Sequence, residues 1–379
     1  MHETLEPAPS NVKRYQRQKL LAEAGSAVVA LVWLAILASL LGPTIGDRLT
    51  SLVGENLWAR LIAVAAVIAV SLEIVTAPID FWSSYVVEHQ HQLSNQSLLG
   101  WVVRRLKGYL VGGVLGIALV LGLYALLWQT GEWWWLWATA GWLAVTLVLG
   151  RLVPIVILPL YYKLDRLNDE TLLTRLRALC AGTGLTVEGV YRLHLSEETR
   201  KANAALAGLG NTRRVLLGDT LLDSFTPEEI EVVFAHEVGH HVHRHLVKMI
   251  SYRVVLSLVG FWLVDVILRS SAPALGYRGV TDPAALPLVL LVLTLFGLIL
   301  SPLGNALSRF FEVQCDTYAL RKTGRPDAFR SAFAKLARMN KSDPDPHPAV
   351  VWLFYDHPPI RERLALADSV PMANPQTPI

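Results

Sequence analysis

Two histidines four residues apart mark the part of the sequence best suited to chemistry, the run His236-Glu237-Val238-Gly239-His240. On a helix this spacing places both imidazoles on one face, where they can bind one Zn²⁺ ion. The carboxylate of Glu237 can then take a proton from a water molecule on that ion. Because the pattern specifies only three positions, a solvated helix face rich in His and Glu is the alternative interpretation.

A catalytic zinc ion needs a third protein ligand and an open fourth position for water. Glu312 is the candidate, on a helix that continues the last apolar segment of the chain. Asp316, four residues later on the same helix, can orient a ligand histidine from behind. The alternative is a surface acidic pair that has Arg309 and Arg321 as partners.

The neighbouring histidines and cysteine are expected to have other roles. In the long three-histidine zinc motif the last ligand follows the second by six residues, and that position is Leu246 here. His241 is displaced by about 100° around the helix from His240, and we expect His243 and His245 to be polar surface or second-site residues. Cys315 is expected on a different face of its helix from Glu312, as a packed thiol.

The motif needs a helix, and the preceding residues predict one. Thr226 suits the N-cap, Pro227 the first helical position, and Glu229 completes a capping box. Upstream, residues 169–180 have helical periodicity. Three short runs favour strands, and Gly210-Asn211-Thr212 suits a hairpin turn between the second and third; the runs cover residues 186–195, 202–209 and 213–219.

Composition places these elements beside a membrane. The 379 residues are 53% hydrophobic and 17% charged, which is too apolar for an ordinary soluble enzyme. Six segments have the roughly 20 apolar residues that a membrane-crossing helix needs; they are residues 24–41, 57–77, 109–128, 133–158, 249–268 and 285–303. The distribution of Lys and Arg puts both termini and the polar segments in the cytoplasm. A net charge of +3 does not indicate a nucleic-acid partner.

Four ionisable residues fall within these segments: Glu73, Arg151, Arg253 and Asp265. Charges in hydrocarbon are costly, so they should face the bundle interior or a water-filled chamber. Internal ion pairing is the alternative, and the two arginines lie near span ends, from which their side chains can reach the headgroups.

Several ordered motifs resemble the type I CAAX prenyl endopeptidase family of integral-membrane zinc metalloproteases, in particular its bacterial relatives. They are Tyr85-Val86-Val87-Glu88-His89, Ser94-Asn95-Gln96, Asn203-Ala204, residues 214–221, the His236–His240 helix, Ser308-Arg309-Phe310-Phe311-Glu312 with Asp316, and residues 357–363. The resemblance covers most of the chain from about Pro78 onward. Eukaryotic members of the family have seven spans, whereas this sequence predicts six.

The resemblance implies roles for individual residues. His236, His240 and Glu312 would bind one zinc ion, with Glu237 as general base and Asp316 behind the ligands. Further residues would serve the substrate: Asn203 and Ala204 on an edge strand to which an extended peptide adds, and His357 and Arg363 as donors to the oxyanion. The substrate would be a membrane-associated or CAAX-like peptide or protein, including prenylated ones. The enzyme would lie in a bacterial inner membrane with its active site facing the cytoplasm.

The predicted fold is therefore mainly α: a polytopic bundle of about six spans with a cytoplasmic gluzincin-type zinc protease domain that contains a small β-sheet. The predicted regions are residues 1–160 with four spans, 161–247 with the sheet and the motif helix, 248–304 with two spans, 305–368 with the third ligand, and a disordered tail at 369–379.

Two other functions fit parts of the pattern. A non-proteolytic membrane chaperone or quality-control factor would use zinc as a structural clamp, but a closed structural site has no use for the Glu237 carboxylate. A transporter would account for the intramembrane charges, but the sequence shows no symmetry between its halves.

Overall fold

A computed structural model describes residues 9–185 and 189–370, which form long helices and one small sheet. The predicted strand residues 186–188 and nearly all of the predicted tail lie outside the described residues. The helices are α1 (Ser10–Ile36), α2 (Gly42–Val53), α3 (Leu57–Phe81), α4 (Glu88–Gln90), α5 (Leu98–Thr130), α6 (Trp134–Leu152), α7 (Leu158–Tyr161), α8 (Glu170–Cys180), α9 (Asp219–Ser224), α10 (Pro227–Val242), α11 (His245–Ser271), α12 (Leu286–Thr323), α13 (Pro326–Met339), α14 (Pro348–Phe354) and α15 (Ile360–Ser369).

The membrane part agrees with the predicted bundle of about six spans. In the part of the chain that the structure describes, five continuous helical stretches can cross a membrane by length and composition. The third, Leu98–Tyr161, reverses at Gly131, whose φ of 57° is readily adopted only by glycine, so that α5 and α6 pack against each other. That stretch therefore supplies two spans, and every predicted apolar segment lies within a helical stretch.

The intramembrane acids Glu73 and Asp265 are paired with neighbouring side chains. Glu73 accepts a hydrogen bond from Arg105 at 2.8 Å. Asp265 accepts from the Trp134 indole at 2.7 Å and from Arg269 at 2.8 Å. Pairing of this kind offsets the cost of placing a charge in hydrocarbon. For Glu73 and Asp265 the structure therefore supports the alternative of internal pairing.

The sheet has four strands in the order β1-β2-β4-β3: β1 (Leu164–Arg166), β2 (Val190–Leu193), β3 (Ala204–Ala207) and β4 (Arg214–Gly218). The predicted hairpin is confirmed, because β3 pairs antiparallel with β4 across the turn at residues 210–212. Gly208 is required there: its φ is 97°, and a Cβ would lie 2.3 Å from the Thr212 carbonyl oxygen. Strand β1 was not predicted, since three residues carry too little pattern. Within residues 9–185 and 189–370, the outer edge of β3 has no neighbouring strand.

Helix α10, which carries the histidine pair, lies between two apolar cores. Val233 packs with Leu217 of β4 on one side, and Val232 packs with Phe329 of α13 on the other. The predicted capping box is present: the Thr226 hydroxyl accepts from the Glu229 amide at 3.3 Å, and the Glu229 carboxylate accepts from the Thr226 amide at 2.8 Å. Burial on both faces and a capped start hold this helix rigidly.

Helix α12 runs without a break from the membrane to Thr323, so one rigid element links the last span to Glu312. The predicted boundary between residues 304 and 305 therefore falls within a helix. The division of the chain into five regions remains a prediction.

Candidate active site

The three predicted metal ligands come together from two helices. The two oxygens of Glu312 on α12 approach the two histidines of α10: Oε2 lies 3.2 Å from His236 Nε2, and Oε1 lies 3.2 Å from His240 Nε2. Two atoms that bind one tetrahedral zinc ion are about 3.4 Å apart, given ligand bonds of roughly 2.1 Å. The observed spacing therefore suits side chains that share one ion.

The Glu312 carboxylate is buried against the two imidazoles. Its side chain is only 4% exposed, and its two oxygens face the Nε2 atoms of His236 and His240 at 3.2 Å. A buried carboxylate is costly unless it is paired with a cation, and a bound metal ion would supply one. The donor set of two imidazoles and one carboxylate fits a metal ion.

Asp316 contacts the Nδ1 side of the His236 ring, opposite Glu312, and Arg363 in turn binds Asp316. Asp316 is fully buried, and its Oδ1 lies 2.8 Å from His236 Nδ1. Arg363 on α15 donates to Asp316 from Nη2 at 2.6 Å and from Nε at 2.8 Å. Burial opposes a charge on His236, but its hydrogen bonds with Asp316 and Glu312 outweigh burial and raise its pKa to about 9. The ring is thus fixed with Nε2 towards Glu312.

His357 and Arg363, both predicted at the cleft, occupy different positions. Arg363 is 10% exposed and engaged by Asp316. His357 is half exposed, with Nε2 3.4 Å from Glu312 Oε2 and Nδ1 2.8 Å from Asp356. Burial lowers the pKa of His357, but Asp356 and Glu312 raise it further, so the net shift is upward. His357 is the one of the two that presents a donor to the open cleft.

Glu237 lies beside the free edge of the sheet, where its Oε2 accepts from the Leu206 amide at 3.3 Å. Asn203 directly precedes β3, and its carbonyl accepts from the Gly218 amide of β4 at 2.9 Å. Since backbone groups alternate in direction along an antiparallel strand, those of Ala204 and Leu206 point away from β4. The strand edge next to Glu237 therefore presents backbone groups with which an extended peptide can form hydrogen bonds.

A cavity of about 690 Å³ opens over these groups. Its walls include His236 and Glu237 from α10, Asn203 beside β3, and His357 near the C-terminus. Helix α1 forms another wall, with Lys13, Arg17 and Lys19. The cavity can hold a peptide segment of several residues.

Cys315, expected as a packed thiol on a different face from Glu312, is fully buried as expected, but it also lies close to the histidine pair. One ligand atom each of His236, His240 and Cys315 lies within 4.8 Å of the other two. The thiol reaches this position because Gly239 lets the helices approach closely: a Cβ there would lie 3.1 Å from the Cys315 Cα. Cys180 and Cys315 are both free thiols.

His245 was expected at the surface or in a second site, and a surface position is wrong, because it is 2% exposed and touches His240. The cause is the helix break at Arg244, which has a left-handed φ of 54°. A new helix starts after that break, so helical periodicity from His240 does not predict where His245 lies.

Comparison with known proteins identifies the family. Residues 166–370, more than half of the chain, match the family model for peptidase family M48. Residues 8–163 match a model described as "CAAX prenyl protease N-terminal, five membrane helices". The chain belongs to peptidase family M48. The expected resemblance to the type I CAAX prenyl endopeptidases is thereby confirmed.

Relatives of this M48 protein include the uncharacterized metalloprotease YhfN of Bacillus subtilis, 30% identical over 80% of this chain and 72% of that protein. A CAAX prenyl protease 1 homolog of Oryza sativa subsp. japonica is 28% identical over 83% of this chain and 75% of its own length. CAAX prenyl protease 1 of Saccharomyces cerevisiae is 26% identical, with 78% and 69% covered. The crystal structure of S. mikatae Ste24p shares the fold, with a TM-score of 0.78 at 22% identity over 97% of this chain and 92% of that one.

Membership of M48 makes this protein an integral-membrane metalloendopeptidase that depends on a metal ion and cleaves peptide or protein substrates. The chaperone and transporter alternatives gain no support from relatives described as proteases.

Proposed function

We propose that His236, His240 and Glu312 hold one Zn²⁺ ion, and that Glu237 is the general base for hydrolysis of a peptide bond. The observation that carries this proposal is the buried Glu312 carboxylate, whose two oxygens each lie 3.2 Å from the Nε2 atom of one of the two histidines. A zinc ion bound there would polarise the scissile carbonyl and lower the pKa of a water molecule to about 7.

The surrounding residues divide the remaining work. Glu237, aligned by the Leu206 amide, takes a proton from the attacking water and delivers it to the leaving amine. His357 donates towards the oxygen on which negative charge develops. Arg363, engaged by Asp316, acts as a positioning residue for His236.

Substrate binds as an extended strand along the free edge of β3. The outward backbone groups of Ala204 and the outward carbonyl of Leu206 pair with the substrate backbone, while the Leu206 amide holds Glu237, and Asn203 lines the same cavity. Strand addition reads few side chains, which suits a protease that must hold backbone next to the metal.

The substrate class is a membrane-associated or CAAX-like protein, including prenylated ones. Relatives named CAAX prenyl protease 1 support this assignment. Lys13 and Arg17 in the cavity wall suit the free carboxylate of a chain end. The Lys and Arg distribution supports a bacterial inner-membrane location with a cytoplasmic active site, and we infer no nucleic-acid partner.

The test compares two active-site variants with a control. Glu237→Gln should retain zinc and lose cleavage by about 10²- to 10⁴-fold. Glu312→Ala should lose zinc on dialysis, because one of three ligands is gone. Glu170→Gln, at an exposed position of α8, should match wild type.

The measurements are zinc stoichiometry and mass spectrometry of peptides released from prenylated and unprenylated forms of one substrate. Wild-type cleavage by the purified Glu237 variant would reject the general-base role. Full zinc retention by the Glu312 variant would reject the ligand set.

A further inference from the structure

A histidine that binds a metal through Nε2 usually donates its Nδ1 proton to an acceptor, which fixes the ring and makes it a better ligand. For His236 that acceptor is Asp316. His240 requires an equivalent partner on its own Nδ1 side, and the partner that the structure provides is another histidine.

His245 Nδ1 lies 3.2 Å from His240 Nδ1. Two ring nitrogens can form a hydrogen bond only when one carries a proton and the other does not. The other nitrogen of His245, Nε2, lies 2.8 Å from the side-chain oxygen of Gln314, which can only accept. His245 Nε2 therefore carries the proton of the neutral ring, and its Nδ1 is free to accept.

We propose that His245 is the positioning residue of His240. The hydrogen bonds run from His240 Nδ1–H to His245 Nδ1, and from His245 Nε2–H to the Gln314 oxygen. This arrangement holds His240 Nε2 towards Glu312. The role of His245 rests on the zinc ligation proposed above.

Packing makes the His245 ring a fixed support. It stacks on Phe311 with a ring-centre distance of 4.1 Å and an interplanar angle of 11°. Phe311 and Gln314 lie on either side of Glu312 in α12. The helix that supplies the third ligand therefore also positions His245, which supports the second ligand, His240. A stacked ring with both nitrogens bonded has little freedom to rotate.

Cys315 competes for the same lone pair, since its Sγ lies 3.5 Å from His245 Nδ1. A thiol is a weak donor, and the N–H of a metal-bound imidazole is a stronger one. The shorter contact, from His240, therefore takes the lone pair.

Three variants test the proposal. His245→Phe keeps an aromatic ring on Phe311 but removes the acceptor, and zinc affinity should fall about tenfold to a hundredfold. His245→Asn places an amide oxygen near the former Nδ1 and should restore affinity to near the wild-type value. His241→Asn, the same exchange at a neighbouring histidine without a contact to His240 Nδ1, is the matched control and should not alter affinity.

The readouts are zinc affinity by chelator competition and the visible spectrum of the Co²⁺-substituted protein, which reports ligand geometry. Thermal unfolding of metal-free protein separates folding from metal binding. Wild-type affinity and spectrum in His245→Phe, or an equal loss in the Phe and Asn variants, would overturn the proposal.

If the Phe variant does not fold, Gln314→Leu carries the test. It leaves His245 in place but removes the acceptor that fixes its tautomer, so it should weaken zinc binding and perturb the Co²⁺ spectrum. An unchanged spectrum would refute the hydrogen-bond chain. Zinc retention in Glu312→Ala would instead overturn the ligand set, so the two failures are distinguishable.

Discussion

Replacing Gly239 by Ala adds one methyl group at the closest approach of the two ligand-bearing helices. The new Cβ would lie 3.1 Å from the Cα of Cys315 and 3.3 Å from its Cβ and Sγ. Non-bonded atoms of this kind prefer about 3.5–4.0 Å, so α10 and α12 must separate by roughly 0.5 Å. Since backbone and Cβ are involved, a rotamer change cannot relieve the contact.

The effect on stability is expected to be modest. Overpacking costs about 1–3 kcal/mol, whereas Ala in place of a helical Gly contributes about 0.5–1 kcal/mol. The net destabilisation is therefore about 0–2.5 kcal/mol. Thermal unfolding in detergent should show a small decrease in the midpoint.

The effect on the metal site is expected to be larger. Ligand distances must hold to within about 0.2 Å, and a shift of roughly 0.5 Å between the histidines and Glu312 exceeds that tolerance. If a displacement of 1 Å costs about 10²-fold in rate, half of it costs about tenfold. Zinc affinity and kcat/KM on a fluorogenic peptide should both fall by about tenfold or more.

Gly304→Ala on α12 is the control, because its Cβ would lie 3.6 Å from the hydroxyl of Tyr252 on α11, an ordinary van der Waals contact. It should bind zinc as wild type does. A Gly239 variant with unchanged zinc affinity and kcat/KM would refute the claim that the close packing of α10 and α12 sets the ligand spacing.

Two further predictions concern side chains that hold the segments flanking the strands. Burial raises the pKa of Asp219, but hydrogen bonds from the Ser196 hydroxyl and neighbouring amides outweigh burial, so its pKa is lowered on folding. Its stabilisation should be complete above pH about 4 and be lost as the pH falls further, so Asp219→Asn should cost about 1–3 kcal/mol at pH 7 and less below pH 4, by thermal unfolding. A difference that does not depend on pH would contradict this. Asn340 bonds both backbone groups of Ala202, at 3.0 and 3.1 Å, just before β3. Asn340→Ala should loosen the strand and raise KM more than it lowers kcat; an unchanged KM in steady-state kinetics would exclude this role.

Local signals in the sequence were sufficient for the elements that carry the site. The Thr226 capping box, the spacing of His236 and His240 and the turn at residues 210–212 each depend on neighbours within four residues. Helical and hairpin geometry is short-range, so residue type and spacing determine it. The membrane-spanning segments could also be predicted from the sequence, because membrane thickness sets their length.

Contacts between distant elements were decided by tertiary structure alone. The proximity of Cys315 to both histidines depends on how closely α12 packs on Gly239, and the burial of His245 depends on the helix break at Arg244. The bond of Arg363 to Asp316 requires α15 to dock against α12. Periodicity states which face of a helix a residue occupies, but not which other helix meets that face or how closely, because that is set by the packing of side chains far apart in the chain.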